Sequence, residues 1–364
     1  MKRGSTINRL LDFYLGIPIL NLLASFRRKG VYPAHPDRIG LLFNPALGDT
    51  LLASAAIQDI RSIFPTAKLI LFAGNSNIAA AKLLPEIDAI HILPITRPLN
   101  AIRILRQSNL DLMLDFTAWQ RITALYTLMS GARFTVGFER MKQYRHRGYD
   151  KAVPHRGDCH ELDNLHRFTC SLGAKTKSDP RLLITSGTLP VVFQKGAVIV
   201  FHPWASGARS RLREWPDDCW TSLAQQLMAP GQTLLLTGSP VDENRCHELC
   251  KKISTQGIQV QALIGQDGIT GVARVLKHAE MLISVNTGIM HLGAILGVPT
   301  VCINGPTALH RWGPVGPRVA NVCPSDGSGG FLDLGFEYRG RSTDTMNKIS
   351  VSDVMCAVHQ LQFR

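Results

Sequence analysis

No Cys-x-x-Cys pair occurs in this sequence, and its eight cysteines are scattered without disulfide-like spacing, so a reducing cytoplasm is expected rather than an extracellular setting. Cys246, His247 and Cys250 lie at helical spacing with no partner pair to follow, so no metal site is expected there. No G-x-G-x-x-G follows either leading apolar run, which argues against an NAD-dependent oxidoreductase. Few aromatic residues are interleaved with the basic clusters and no nucleic-acid-binding module is recognisable, so nucleic acid is not an expected partner. No stretch is compositionally disordered, and no residue-level repeat is visible.

Long uninterrupted apolar runs are missing too. The most apolar segment, "RLLDFYLGIPILNLLASFRRKG", has a core of about 17 residues containing Asp12 and Pro18 and ends in Arg27-Arg28-Lys29. That is marginal for a membrane span, and the segment lacks the small-residue cleavage site of a signal peptide. Two readings remain. It is an interfacial anchor, apolar side chains dipping into a bilayer and basic residues on anionic headgroups, or a helix packed on the body of the protein.

What is present is the composition of an ordinary folded protein, 45% hydrophobic and 18% charged, in 364 residues. That length suits two domains of roughly 150 to 180 residues each. The formal charge of +13, from 40 basic and 27 acidic residues, favours a polyanionic partner.

Five short apolar runs ("RIGLLF", "KLILFA", "AIHIL", "DLMLDF", "RFTVGF") alternate with helical patterns from Arg38 onward, and five more ("AVIVFHP", "TLLLTG", "IQVQALI", "MLISV", "PTVCING") do so after residue 190. Helices are expected near 216–229, 241–255, 269–278 and 287–296, with a final helix in "ISVSDVMCAVHQL" capped by Ser350 or Ser352. Strands alternating with helices imply parallel sheets covered on both faces. The expected organisation is a membrane-proximal segment at 1–36, α/β domains at 37–180 and 190–345, and a terminal helix at 346–364. Between the domains lies the polar linker "KTKSDPRLLITSGTLP". A ligand is expected outside the carboxyl ends of the strands, in the cleft between the two units.

Four places carry chemistry. In "MLISVNTGIMHLGAILGVPT" a strand ends at Asn286-Thr287-Gly288 and a helix begins at once, so open backbone N–H groups and the positive helix end suit a diphosphate. His291 follows one turn later; capping alone is the competing account. "FHPWASGARSRLREWPDD" packs Arg209, Arg211 and Arg213 into five positions, able to neutralise a leaving group or simply to be solvated. Asp242 and Glu243 begin a helix after "LLLTG", where a carboxylate can accept from ribose hydroxyls or complement the helix dipole. Asp49 stands at the first strand-to-helix turn, where it would repel a phosphate. It is suited to accept the proton of an attacking hydroxyl, and to cap the helix as well.

Together the motifs "GDTLLASAAIQDIRSIFP", "REWPDDCWTSLAQQL", "LTGSPVDEN" and "ISVNTGIMHLGAILGVPTVCINGPTALHRWGPVGP" resemble the ADP-heptose:lipopolysaccharide heptosyltransferase family, glycosyltransferase family 9. The resemblance implies an α/β GT-B fold: two Rossmann-like domains whose parallel sheets face a central cleft, acceptor on the N-terminal one and nucleotide-sugar on the C-terminal one. It also implies inverting, metal-independent transfer without a cofactor, at the cytoplasmic face of the inner membrane. Asp49 matches the family's general base and Arg213 a lysine on the donor phosphates. Thr287, Gly288 and His291 match the phosphate-binding end of D-T-G-x-x-H, and Asp242 or Glu243 the ribose acid. Asn286 replaces that motif's aspartate, which removes a charged contact to the donor sugar. A catalytically degenerate binding protein, or a transferase using another nucleotide-sugar, therefore stays open. The segment from Arg133 to Arg156 holds seven Lys/Arg against two acids, and Arg140, Lys142, Arg145 and Arg147 are its candidate contacts to an anionic lipid-linked saccharide.

Overall fold

A computed structural model describes residues 10, 12–43, 46–194, 196–207, 209–265, 268–333, 337–338, 341 and 343–362. The chain forms two compact units, residues 1–181 and 182–364.

In the first unit, six parallel strands take the order β3-β2-β1-β4-β5-β6: β1 (Arg38–Phe43), β2 (Lys68–Ala73), β3 (Ala89–Ile92), β4 (Leu112–Asp115), β5 (Phe134–Glu139) and β6 (Lys151–Pro154). Its helices are α1 (Gly16–Ser25), α2 (Leu47–Ile63), α3 (Ile78–Ala81), α4 (Pro98–Gln107), α5 (Arg121–Met129) and α6 (Glu161–Leu172). The central strands are apolar at nearly every position because helices cover both faces of the sheet. Phe116 stacks between Phe43 (centroids 4.6 Å apart) and Phe168 (4.4 Å), tying β1 and β4 to α6. Strand β6 was not anticipated. It is an edge strand of four residues inside the basic stretch, and its Lys and Pro hide the β pattern.

The second unit repeats the layout as β12-β11-β10-β7-β8-β9: β7 (Val198–His202), β8 (Thr233–Gly238), β9 (Val260–Ile264), β10 (Met281–Val285), β11 (Thr300–Ile303) and β12 (Val319–Val322). Its helices are α7 (Asp217–Leu227), α8 (Glu243–Ser254), α9 (Gly268–His278), α10 (Gly288–Ile295), α11 (Leu309–Trp312) and α12 (Val351–Gln362). Trp215 and Trp220 meet edge-on in its core beside Phe201. Strand β12 is the second one missed, again a short edge strand. Ser350 begins α12, its hydroxyl donating to Asp353 (2.7 Å) and accepting from the Asp353 N–H (3.1 Å).

In both units the first strand is central and the order reverses beside it, at β1/β4 and at β7/β10. These are the topological switch points, where open α/β sheets bind ligands beyond the carboxyl ends of the strands. Residues 174–190 carry no helix or strand. Helix α1 does not stand apart from the first unit; Leu20 is fully buried against Ala124 and Tyr149. No helix among the described residues is long and apolar enough to cross a membrane.

Candidate functional site

Asp49 lies in the first turn of α2, half-buried, and its carboxylate accepts the Ala46 N–H (2.8 Å). An acid here complements the positive end of the helix. Beside it the first turn of α2 is tied to its surroundings. The Thr50 hydroxyl donates to the Ala46 carbonyl (2.8 Å), and the buried Asn77 amide donates to the Thr50 hydroxyl (3.0 Å) and the Phe43 carbonyl (3.3 Å). The Asn77 oxygen accepts the Gly74 N–H at the end of β2 (2.8 Å). Asn77 thus holds β1, β2 and α2 together; composition and motif gave no sign of it.

Across the switch point, β4 ends in Asp115, which has no solvent exposure. Its carboxylate accepts from the Thr117 N–H (2.9 Å), the Arg145 guanidinium (2.8 Å) and the Tyr149 hydroxyl (2.8 Å). Burial holds the Tyr149 phenol well above its ordinary value, so it acts as a donor. The ring reaches this position because β5 carries Gly137, where a Cβ would sit 2.2 Å from the ring. Arg145 also donates to the Gln120 carbonyl (2.8 Å).

This corrects the expectation for the basic cluster. Arg145 does not join an acceptor-facing surface: it is fully buried, its charge balanced by Asp115. Arg140 is half-buried with its guanidinium 3.7 Å from the Trp119 ring centre, while Lys142 and Arg147 are exposed. Lys142 and Tyr144 adopt left-handed backbone, φ 65° and 58°, so the loop is sharply folded over the buried arginine.

In the second unit the candidate donor-binding residues leave neighbouring strands. After β10, Thr287 is the N-cap of α10 with extended backbone, but its side chain caps nothing, and the buried hydroxyl oxygen has no hydrogen-bond partner among the described residues. Gly288 opens the helix, and His291 is buried one turn further on. The first N–H groups of a helix have no partner within it. Asn286 is mostly buried and its amide donates to the Trp312 carbonyl (3.2 Å), so it braces α11.

After β7, Arg209, Arg211 and Arg213 fall on the loop and a 3-10 turn, Ser210–Arg213. Arg213 is half-buried and donates to the Ser206 carbonyl (2.6 Å); the Arg209 guanidinium lies 5.1 Å from the Tyr338 ring centre. The nearby acid Glu214 is buried, accepting from Arg245 (2.7 Å) and the Ala205 N–H (3.2 Å). After β8, Asp242 accepts the Ser239 N–H (3.1 Å) and faces Arg245 (3.6 Å); Glu243 is exposed at the first position of α8. Asp242 therefore already has backbone and cation partners, whereas Glu243 projects into water.

One further residue at this sheet end went unnoticed in the sequence. His202 ends β7, buried, with Nδ1 3.0 Å from the Thr237 carbonyl oxygen. Burial lowers its pKa to about 4, which keeps the ring neutral at physiological pH. A polar residue ending an apolar strand, here as at Asp115, marks a position without saying what it does. Cys246 is buried in the core and Cys250 half-buried on α8. No group of three or more His, Cys, Asp or Glu able to hold a metal is found among the described residues.

Comparison with known proteins places this architecture. The signature of glycosyltransferase family 9 (heptosyltransferase) matches residues 99–328. Lipooligosaccharide heptosyltransferase 2 of Campylobacter jejuni is 23% identical over 74% of this chain and 81% of its own length. Two solved structures share the fold. The family 9 glycosyl transferase of Veillonella parvula has a TM-score of 0.73 at 16% identity over 92% of this chain and 99% of its own. The Escherichia coli ADP-heptose lps heptosyltransferase II has 0.72 at 16%, over 90% and 98%. The chain thus belongs to glycosyltransferase family 9, the heptosyltransferases, and is a sugar-transferring enzyme on the GT-B fold.

Proposed function

We propose that this enzyme transfers heptose from ADP-heptose to the core of lipopolysaccharide or a related lipid-linked saccharide, with inversion at the anomeric carbon. The observation that carries the reading is the start of α10: a helix N-terminus at a switch point, with a buried threonine hydroxyl that no described residue bonds. Such a place suits the diphosphate of a nucleotide-sugar. Family membership supplies the class of reaction, and ADP-heptose stands in the name of the E. coli structural neighbour.

In this reading Asp49 takes the proton of an acceptor hydroxyl as that oxygen attacks the anomeric carbon and the bond to the diphosphate breaks. The N–H groups at Thr287 and Gly288, with His291 and Arg213, take up the charge of the departing ADP without need of a metal. Asp242 or Glu243 accepts from the ribose hydroxyls; the exposure of Glu243 favours it. Asn286 braces α11 through the Trp312 carbonyl instead of supplying the charge that the family's aspartate would. Arg140, Lys142 and Arg147 meet acceptor phosphates, and the protein works peripherally on the inner face of the cytoplasmic membrane.

Thermal unfolding with ADP, UDP, GDP and their sugar conjugates tests the donor. ADP compounds are expected to raise the melting temperature selectively; preference for UDP or GDP would overturn ADP-heptose. Absence of both transfer and donor hydrolysis would favour a degenerate binding protein.

A further inference from the structure

Helix α1 is apolar on two sides, and the body of the protein covers one of them. Leu20 is buried and Leu23 and Ala24 are half-buried, whereas Leu15 (54% exposed), Ile19 (42%), Leu22 (60%) and Phe26 (80%) face water. Steps of four, three and four residues place these four on a single stripe. Exposed apolar residues scattered singly need no explanation; a contiguous stripe does.

The chemistry around the stripe says what would cover it. Arg28 and Lys29 are exposed just beyond the helix end, while Arg27 is turned inward to Asp150 and Thr135. At the other end Asp12 accepts the Arg121 N–H (2.9 Å) and the Arg121 guanidinium (3.0 Å). The same guanidinium donates through Nε to the Gln143 carbonyl (3.0 Å) and through Nη2 to that of Lys142 (3.4 Å), so one buried arginine joins the N-terminal segment to the basic loop. In that loop Met141 (84% exposed) and Tyr144 (41%) alternate with exposed Lys142, His146 and Arg147. Apolar and aromatic groups interleaved with cations complement an anionic lipid surface, acyl chains taking the former and headgroups the latter.

We propose that the outer stripe of α1 and the 141–147 loop form one surface that lies on an anionic lipid bilayer, with Asp12 and Arg121 fixing the loop to the helix. It deepens the transfer reading, since a lipid-linked acceptor would be met at this surface, but it rests on lipid binding alone. Arg121 and Asp12 are positioning residues: they set where Lys142 and Arg147 present their charge.

The test uses the full chain without donor or acceptor, sedimented with vesicles of phosphatidylglycerol and phosphatidylethanolamine or of phosphatidylcholine. Strong binding to the anionic vesicles that weakens with salt, and weak binding to the neutral ones, is expected. Leu22→Ser with Phe26→Ser should lower partitioning by on the order of tenfold or more. Lys142→Glu with Arg147→Glu should lower it by at least about tenfold. Asp12→Ala should speed amide exchange across residues 140–149 in the absence of lipid, which the two surface variants should not. Unchanged vesicle binding in both double variants overturns the proposal. So does a dimer that Leu22→Ser with Phe26→Ser dissociates while vesicle binding persists, which would assign the stripe to a second copy. Transfer to a lipid-free acceptor should be unaffected by that apolar pair, so loss of lipid binding with transfer intact, or the reverse, separates the two readings.

Discussion

The two units begin alike and diverge at their first functional turns. In the N-terminal unit the start of α2 is closed: Asp49 bonds the backbone, and Thr50 and Asn77 tie the turn to two strands. In the C-terminal unit the start of α10 is open, with a threonine at the N-cap that caps nothing. The same strand-turn-helix module thus presents a fixed carboxylate in one place and, in the other, a threonine hydroxyl with no partner among the described residues. A closed, negative turn is suited to accept a proton, and an open one to hold an anion.

The sharpest way to break that contrast is Asp49→Asn, which keeps the shape of the closed turn and removes its basicity. Transfer should fall by about 10²–10⁴-fold while ADP still raises the melting temperature as in the parent. Undiminished turnover would take Asp49 out of the chemistry.

Next in size is Asp115→Ala, which strands the buried Arg145 charge under the basic loop. Stability of the N-terminal unit should drop by about 3–5 kcal/mol in denaturant unfolding, with the C-terminal unit's transition unmoved.

The C-terminal unit has its own liability in His202. Its folded pKa of about 4 lies below the ordinary 6.5, so between those values the unfolded chain binds more protons than the folded one. The contribution is full above pH 6.5 and lost as pH falls toward 4, up to about 3 kcal/mol. Unfolding midpoints measured between pH 7 and 5 should show this slope, and His202→Asn should flatten it.

Thr287→Val is the mildest change, taking one donor from the open turn. ADP affinity measured by calorimetry should weaken by about tenfold or less, with folding unaffected.

Ten of the twelve strands among the described residues were legible because parallel strands buried on both faces are continuous apolar runs, a signal that survives without any partner in view. The two that escaped, β6 and β12, are short edge strands, where half the environment is solvent and the pattern dissolves. Asp49 and the Asn286–Gly288 turn could be singled out because each stands where a strand gives way to a helix, and Arg213 because the family resemblance puts a cation at that place. Asn77 and His202 could not, since an asparagine in a loop or a histidine ending a strand gains meaning only from what folds against it.

Arg145 marks the boundary between the two kinds of knowledge. Local order alone determined that this chain alternates strand and helix twice, where the turns fall, and which residues stand at them; these depend on neighbours within a few residues. Whether a charge faces water depends on partners far along the chain: Asp115 stands 30 residues from Arg145, and Asp12 stands 109 from Arg121. Only the folded arrangement brings such groups within hydrogen-bonding distance, turning one arginine of a basic run into an internal strut and leaving Lys142 and Arg147 on the surface. Burial is a property of the whole packing, and a buried charge is tolerated only where its counter-charge is delivered to it.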